Sequence, residues 1–152
     1  MRSSPIRRAS SDDIPALVAL MYDFYAEADF PLDRQEAAVS FAALMADESR
    51  GAVWLAFDEG APAGYVVLTV RFSMEYGGLD AFIDDLFVRP DGRGKGLGKA
   101  LLGVLFAECA RRNVKAVHVE VGAGNTVAQG LYASYGLRLG EDDRQVLTVR
   151  LR

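Results

Sequence analysis

Cysteine, histidine and lysine are all scarce in this chain of 152 residues, which has one Cys, one His and three Lys. A single cysteine, Cys109, excludes a disulfide framework and points to a reducing compartment. It lies inside an apolar-periodic segment, where a buried structural thiol is expected rather than a nucleophile. One histidine, His118, leaves no cluster at metal-ligand spacing, and no Ser/His/Asp or Cys/His arrangement is evident. No metal is expected. Long hydrophobic runs are missing too: none approaches the roughly eighteen residues that span a bilayer. The opening MRSSPIRRASSDD lacks the apolar core of a signal peptide. These absences predict a cytoplasmic protein without membrane contact. There is no internal repeat, linker or low-complexity tract, and with 51% apolar residues the chain reads as a single domain over residues 1–152 with a full core.

What charge there is, is unevenly placed. The net charge is −4, but residues 89–99 carry Arg89, Arg93, Lys95 and Lys99 against Asp91 alone. A local positive site on an acidic chain suits one polyanionic ligand arriving at one place. Nucleic acid, which needs a broad basic face, is excluded on this ground.

The same stretch, Val88-Arg89-Pro90-Asp91-Gly92-Arg93-Gly94-Lys95-Gly96-Leu97-Gly98-Lys99, separates an apolar strand pattern from an amphipathic helix pattern. A strand emptying through glycines into a helix start presents unpaired N–H groups at the positive end of the helix dipole, which is a cradle for phosphate. Two familiar cradles fail on spacing. A P-loop requires Gly where Arg93 stands and Ser or Thr where Ala100 stands. No triple among Gly92, Gly94, Gly96 and Gly98 has the dinucleotide spacing. What remains is Arg-x-x-Gly-x-Gly, comprising Arg93, Gly94, Lys95, Gly96, Leu97 and Gly98. It resembles the pyrophosphate loop of the GNAT N-acetyltransferase superfamily, which binds acetyl-CoA. Downstream, NTVAQGLYASYGL places Asn125, Ala128 and Tyr132 on one helix stripe, with Val127, Leu131 and Tyr135 expected to face the core. This is similar to the superfamily's Asn-x-x-Ala-x-x-x-Tyr-x-x-x-Gly signature, ending here at Gly136. The resemblance implies that Asn125 and Ala128 contact the cofactor arm and that Tyr132 lies near the thioester sulfur.

Periodicity predicts strands over 5–9, 52–57, 64–74, 81–88, 115–121 and 146–151. It predicts helices from a Ser10 or Ser11 cap to about residue 28, from an Asp33 cap to about 47, over 97–112, and from Asn125. The order β-α-α-β-β-β-α-β-α-β implies an α/β fold with a mixed sheet. It matches the GNAT three-layer arrangement of a central sheet flanked by helices.

By the same resemblance, an amine attacks the thioester directly and Tyr132 is the general acid. The strand residues Leu86, Phe87 and Val88 border the cofactor, and the Val88 N–H polarises the carbonyl. Two carboxylates compete as base. Asp84, in Ile83-Asp84-Asp85-Leu86-Phe87-Val88, is similar to the acid of diamine acetyltransferases. Glu120, twelve residues before Tyr132, is similar to the acid of ribosomal-protein alanine acetyltransferases. Strict alternation along the strand would put Asp84 on one face with Phe82, Leu86 and Val88, and Asp85 on the other with Ile83 and Phe87. Residues 21–48 hold seven acids and one Arg together with Tyr22, Phe24, Tyr25 and Phe30. Acids with aromatics favour a small cationic amine as acceptor, with Tyr22, Tyr25, Glu75 and Tyr76 as candidate substrate-binding residues. The alternatives are a protein N-terminal or lysine acetyltransferase and a non-catalytic acyl-CoA sensor. A homodimer is compatible with either.

Overall fold

A β-strand needs a ladder partner, and in the computed structural model of this chain, which describes residues 5–152, five segments find one. They are β1 (Ile6–Arg8), β2 (Gly51–Asp58), β3 (Ala61–Ser73), β4 (Gly78–Val88) and β5 (Ala116–His118), in the spatial order β1-β2-β3-β4-β5. The first four are antiparallel in succession, and β5 joins β4 in parallel. The sheet is therefore mixed. The chain divides into two compact units, Met1–Glu120 and Val121–Arg152, and the whole sheet belongs to the first.

Helices α1 (Ile14–Glu27) and α2 (Arg34–Met45) precede the central strands, and α3 (Leu97–Arg111) connects β4 to β5. Asp33 starts α2 as anticipated, its carboxylate accepting from the N–H groups of Gln35 and Glu36 at 2.9 and 3.0 Å. Ser10 and Asp13 form a capping box on the short 3₁₀ turn, Ser11–Asp13, that leads into α1, the Ser10 N–H donating to Asp13 Oδ2 at 2.8 Å. Alternation splits the strands between two cores. Val53, Leu55, Tyr65, Val67 and Phe87 pack with Leu17, Leu20 and Phe41 of α1 and α2. The intervening residues, such as Val66 and Leu68, turn to the other face, which α3 covers with the fully buried Leu101, Leu102 and Leu105. Each such side chain contributes about 1.5–3 kcal/mol of burial, so the three layers hold the sheet from both sides. Cys109 belongs to the α3 layer, and burial pushes its thiol up to about 11, the behaviour of an inert structural cysteine.

The β3–β4 ladder departs from strict alternation at one point. Val67 stands opposite Asp85, but the next residue, Leu68, stands opposite Ile83, so Asp84 is an extra residue in β4. A bulge of this kind reverses the facing of everything beyond it. Phe82 and Asp80 thereby share a face with Asp85 and Phe87, while Ile83 turns to α3. The expected grouping of Asp84 with Phe82, Leu86 and Val88 is corrected accordingly.

In the second unit α4 (Thr126–Ala133) forms where expected, and no regular element follows it among the described residues. The strand predicted over 146–151 is absent. Alternating apolar residues are insufficient without a ladder partner, and Val146, Leu147, Val149 and Leu151 are all exposed. Strand β5 is also shorter than predicted, so Glu120 lies beyond its end. On α4 the buried residue is Tyr132, and Val127 is exposed rather than in the core.

Candidate active site

Between β4 and α3 the chain makes one tight turn, Pro90–Gly92, and then passes Gly94 and Gly96 with φ near +78° and +82°. A left-handed backbone strongly favours glycine there. A Cβ at either position would meet no protein atom within 4 Å. The open space is bordered by the N–H groups of Gly94, Lys95, Gly96, Leu97 and Gly98, which find no acceptor among the described residues. Free amides, open space and the start of a fifteen-residue helix make a cradle that fits a diphosphate.

The loop cations are placed less directly than their clustering suggested. Arg93 donates to both carboxylate oxygens of Glu27 on α1 at 2.8 Å, and its Nε donates to the Val88 carbonyl at 2.9 Å. Lys95 donates to Asp58, the last residue of β2, at 2.6 Å. These pairs strap the loop to the scaffold.

A notch leads from this loop along β4. Strand β5 pairs with β4 only through Asp80, Ala81 and Phe82, and no strand among the described residues pairs with the β5-side edge of Ile83–Val88. The Arg89 N–H donates to the Ala63 carbonyl of β3 at 2.8 Å, so ladder alternation turns the Val88 N–H away from β3, toward the notch. Leu86 faces its backbone the same way, while Phe87 directs its side chain into the α1–α2 core.

Acidic groups converge beside the notch. Loss of hydration, and then the Glu120 charge, raise the Asp84 carboxyl above its ordinary range, so the two candidate bases are electrostatic neighbours. Asp85, on the same face of β4 as Phe87, accepts a hydrogen bond from the Tyr65 hydroxyl at 2.9 Å. Burial raises its pKa to about 6, the Tyr65 bond opposing and the Asp84 charge assisting. The Tyr25 phenol is pushed up to about 12 by burial and by Asp85 and Asp84. Asp85 and Tyr65 were missed in the sequence because alternation groups Asp85 with core residues of β4 but does not show which residue of β3 it meets, and nothing distinguishes Tyr65 from a core aromatic.

One pH effect follows from Asp85. Its native pKa, about 6, lies above the unfolded value of about 3.9. The native state therefore binds the extra proton, and stability falls as pH rises through that window. Asp85→Asn removes the dependence. Its melting temperature relative to wild type should climb between about pH 4 and about pH 7.5. A pH-independent difference would contradict the raised pKa.

The other candidate substrate residues separate. Tyr25 joins the acids. Tyr22 is covered by the Arg34 guanidinium, 4.1 Å from its ring centroid. Tyr76 packs near the His118 ring at 5.7 Å, and Glu75 acts electrostatically on Arg71.

In the second unit the signature residues have visible structural roles. Asn125 caps α4, its Oδ1 accepting from the Ala128 N–H at 3.1 Å. Gly136, with φ near +87°, closes the helix, the Leu137 N–H reaching the Tyr132 carbonyl and the Gly136 N–H the Ala133 carbonyl. The cap and the stop fix the stripe that carries Ala128 and Tyr132, and Tyr132 is 8% exposed.

Known proteins share this arrangement. A crystal structure of an integron cassette protein from the mobile metagenome of Cole Harbour Salt Marsh superposes with a TM-score of 0.86 at 41% identity, covering 97% of this chain and 91% of that one. An uncharacterized N-acetyltransferase of Archaeoglobus fulgidus is 29% identical over 138 residues, 90% of this chain and 94% of that protein. A putative ribosomal protein bS18-alanine N-acetyltransferase of Bacillus subtilis is 33% identical over 61 residues, 40% of each chain. The model of the acetyltransferase (GNAT) family matches residues 16–137. With the glycine loop, the split between β4 and β5 and the capped α4 stripe in place, the chain belongs to the GNAT family and is an N-acetyltransferase.

Proposed function

We propose that this enzyme transfers the acetyl group of acetyl-CoA to a small primary amine that is cationic in solution. The observation that carries the reading is the gathering of Asp84, Asp85 and Glu120 with Tyr25 beside the notch. Carboxylates and an aromatic face hold an ammonium group, and a carboxylate raised above its usual range is a better base than an exposed one. Acetyl-CoA, when bound, supplies the activated thioester. The amides of residues 94–98 hold its diphosphate, and the Val88 N–H donates to the carbonyl oxygen. Asp84 or Glu120 takes the ammonium proton through water. Tyr132 donates a proton to the departing thiolate, its phenol being protonated at neutral pH with a reference pKa of about 10.

The test is thiol release from acetyl-CoA across a panel of polyamines, aminoglycosides and peptides with free N-termini. Turnover confined to peptides would sink the small-amine reading. It would favour the second one, acetylation of a protein N-terminus, which is supported by the likeness to the Bacillus subtilis protein and by the spacing of Glu120 and Tyr132. Asp84→Asn and Glu120→Gln separate the bases. The variant lacking the base should lose turnover at neutral pH and partly regain it at high pH, where free amine is already present. A larger effect at Asp84 favours the diamine-like site, and at Glu120 the peptide-like one. Glu120 is the preferred base because it is the longer side chain. Two unchanged pH–rate profiles would leave the reaction without a dedicated base.

A further inference from the structure

At the closed end of the notch the last paired residues of the two strands are Phe82 of β4 and His118 of β5. Behind them sits Asp80, fully buried yet charged. Arg71 Nε and NH2 donate to its two oxygens at 2.8 and 3.0 Å, and His118 Nε2 contacts Oδ2 at 2.9 Å. The Arg71 bond, ahead of the His118 bond, holds the Asp80 carboxyl below its ordinary range. Asp80 is therefore a permanent acceptor, and His118 must donate to it through Nε2–H. In the neutral ring that leaves Nδ1 as the acceptor. The imidazole is clamped between Phe82 and Tyr76, with ring centroids at 5.0 and 5.7 Å, and its side chain remains 31% exposed. A residue that served packing alone would not need a buried carboxylate, itself neutralised by an arginine, to set its tautomer.

We propose that His118 is a proton-transfer residue of the acetyl-transfer reaction, oriented by Asp80 and Arg71 as positioning residues. This rests on the amine reading above and extends it. The step balances simply: as the acceptor nitrogen forms its bond to the acetyl carbon, one N–H proton leaves, directly or through water and Glu120, and the Nδ1 lone pair takes it. The imidazolium is stabilised by Asp80 and returns the proton to solvent through its exposed edge. Imidazole, with a reference pKa of about 6.5, suits this passage better than an ordinary carboxylate, whose value is near 4. The charged or titratable groups around this cluster among the described residues are Arg71 of β3, Tyr76 of the turn before β4, whose ring packs on the imidazole, Glu75 of the same turn, which acts on Arg71, and Glu120, two residues further along the chain.

Being the only histidine in the chain, His118 can be titrated by its own ring resonances. The experiment pairs that NMR titration with the pH–rate profile of the best acceptor from the panel, amine or peptide, for wild type and His118→Gln. Glutamine keeps a donor toward Asp80 and loses the titrating group. The expected result is an acid limb of kcat/KM at the NMR pKa. The variant should lose that limb and about tenfold or more of its turnover at neutral pH, with acetyl-CoA affinity unchanged. In Asp80→Asn, which removes the acceptor that sets the tautomer, turnover at neutral pH should fall while the kinetic limb still follows the ring pKa measured for that variant. A wild-type profile in His118→Gln overturns the proposal, as does a kinetic limb that ignores the ring pKa. Neither outcome touches the acceptor reading, which fails only if peptides alone are acetylated.

Discussion

Tyr132→Phe is expected to lower turnover about a hundredfold or more while leaving acetyl-CoA affinity close to wild type. The substitution keeps the ring, and Tyr132 is buried, so α4 retains its packing. Its Asn125 cap and Gly136 stop involve backbone and neighbouring residues only. What disappears is one O–H. If that proton meets the thiolate in the transition state, the loss falls on kcat and on kcat/KM alike, and not on the binding constant. Steady-state kinetics at saturating acceptor, with calorimetric titration of acetyl-CoA, separate the two quantities. Near wild-type turnover would mean that the thiolate takes its proton from elsewhere.

Gly96→Asp should act on the opposite quantity, weakening acetyl-CoA binding by well over tenfold, or more than about 1.4 kcal/mol. Position 96 has φ near +82°, and a Cβ there projects into open space bordered by the loop amides. The Cβ itself meets no protein atom within 4 Å, so the fold tolerates the change at the cost of a left-handed non-glycine residue, about 1–2 kcal/mol. Its carboxylate would compete for the amides that hold the diphosphate and repel what remains. Unchanged affinity in a folded variant would remove the cradle from the cofactor site. Because Arg93 and Lys95 are already paired with Glu27 and Asp58, the amide geometry carries the larger share of this effect.

Most elements could be read from local pattern, since caps, turns and periodicity act over a few residues. Asp33 was visible as a helix start, the glycines of residues 92–98 as the passage from a strand into α3, and Asn125 as the start of α4. The strand predicted at 146–151 fails for the complementary reason. Its alternation is a local property, and a strand exists only where another strand accepts its hydrogen bonds.

The amino-acid sequence by itself determined the order of elements as far as α4, the phosphate loop and the family signature, because each is a short-range arrangement of residue types. Tertiary structure alone decided which charged groups meet. One extra residue in β4 turns Phe82 and Asp80 onto the face of Asp85 and Phe87. Parallel pairing of β5 brings His118 to Asp80. The packing of α1 sets Glu27 on Arg93, sixty-six residues away. These contacts depend on strand register and layer packing, which are fixed by the balance of burial over the whole core and are invisible in any short window of the sequence.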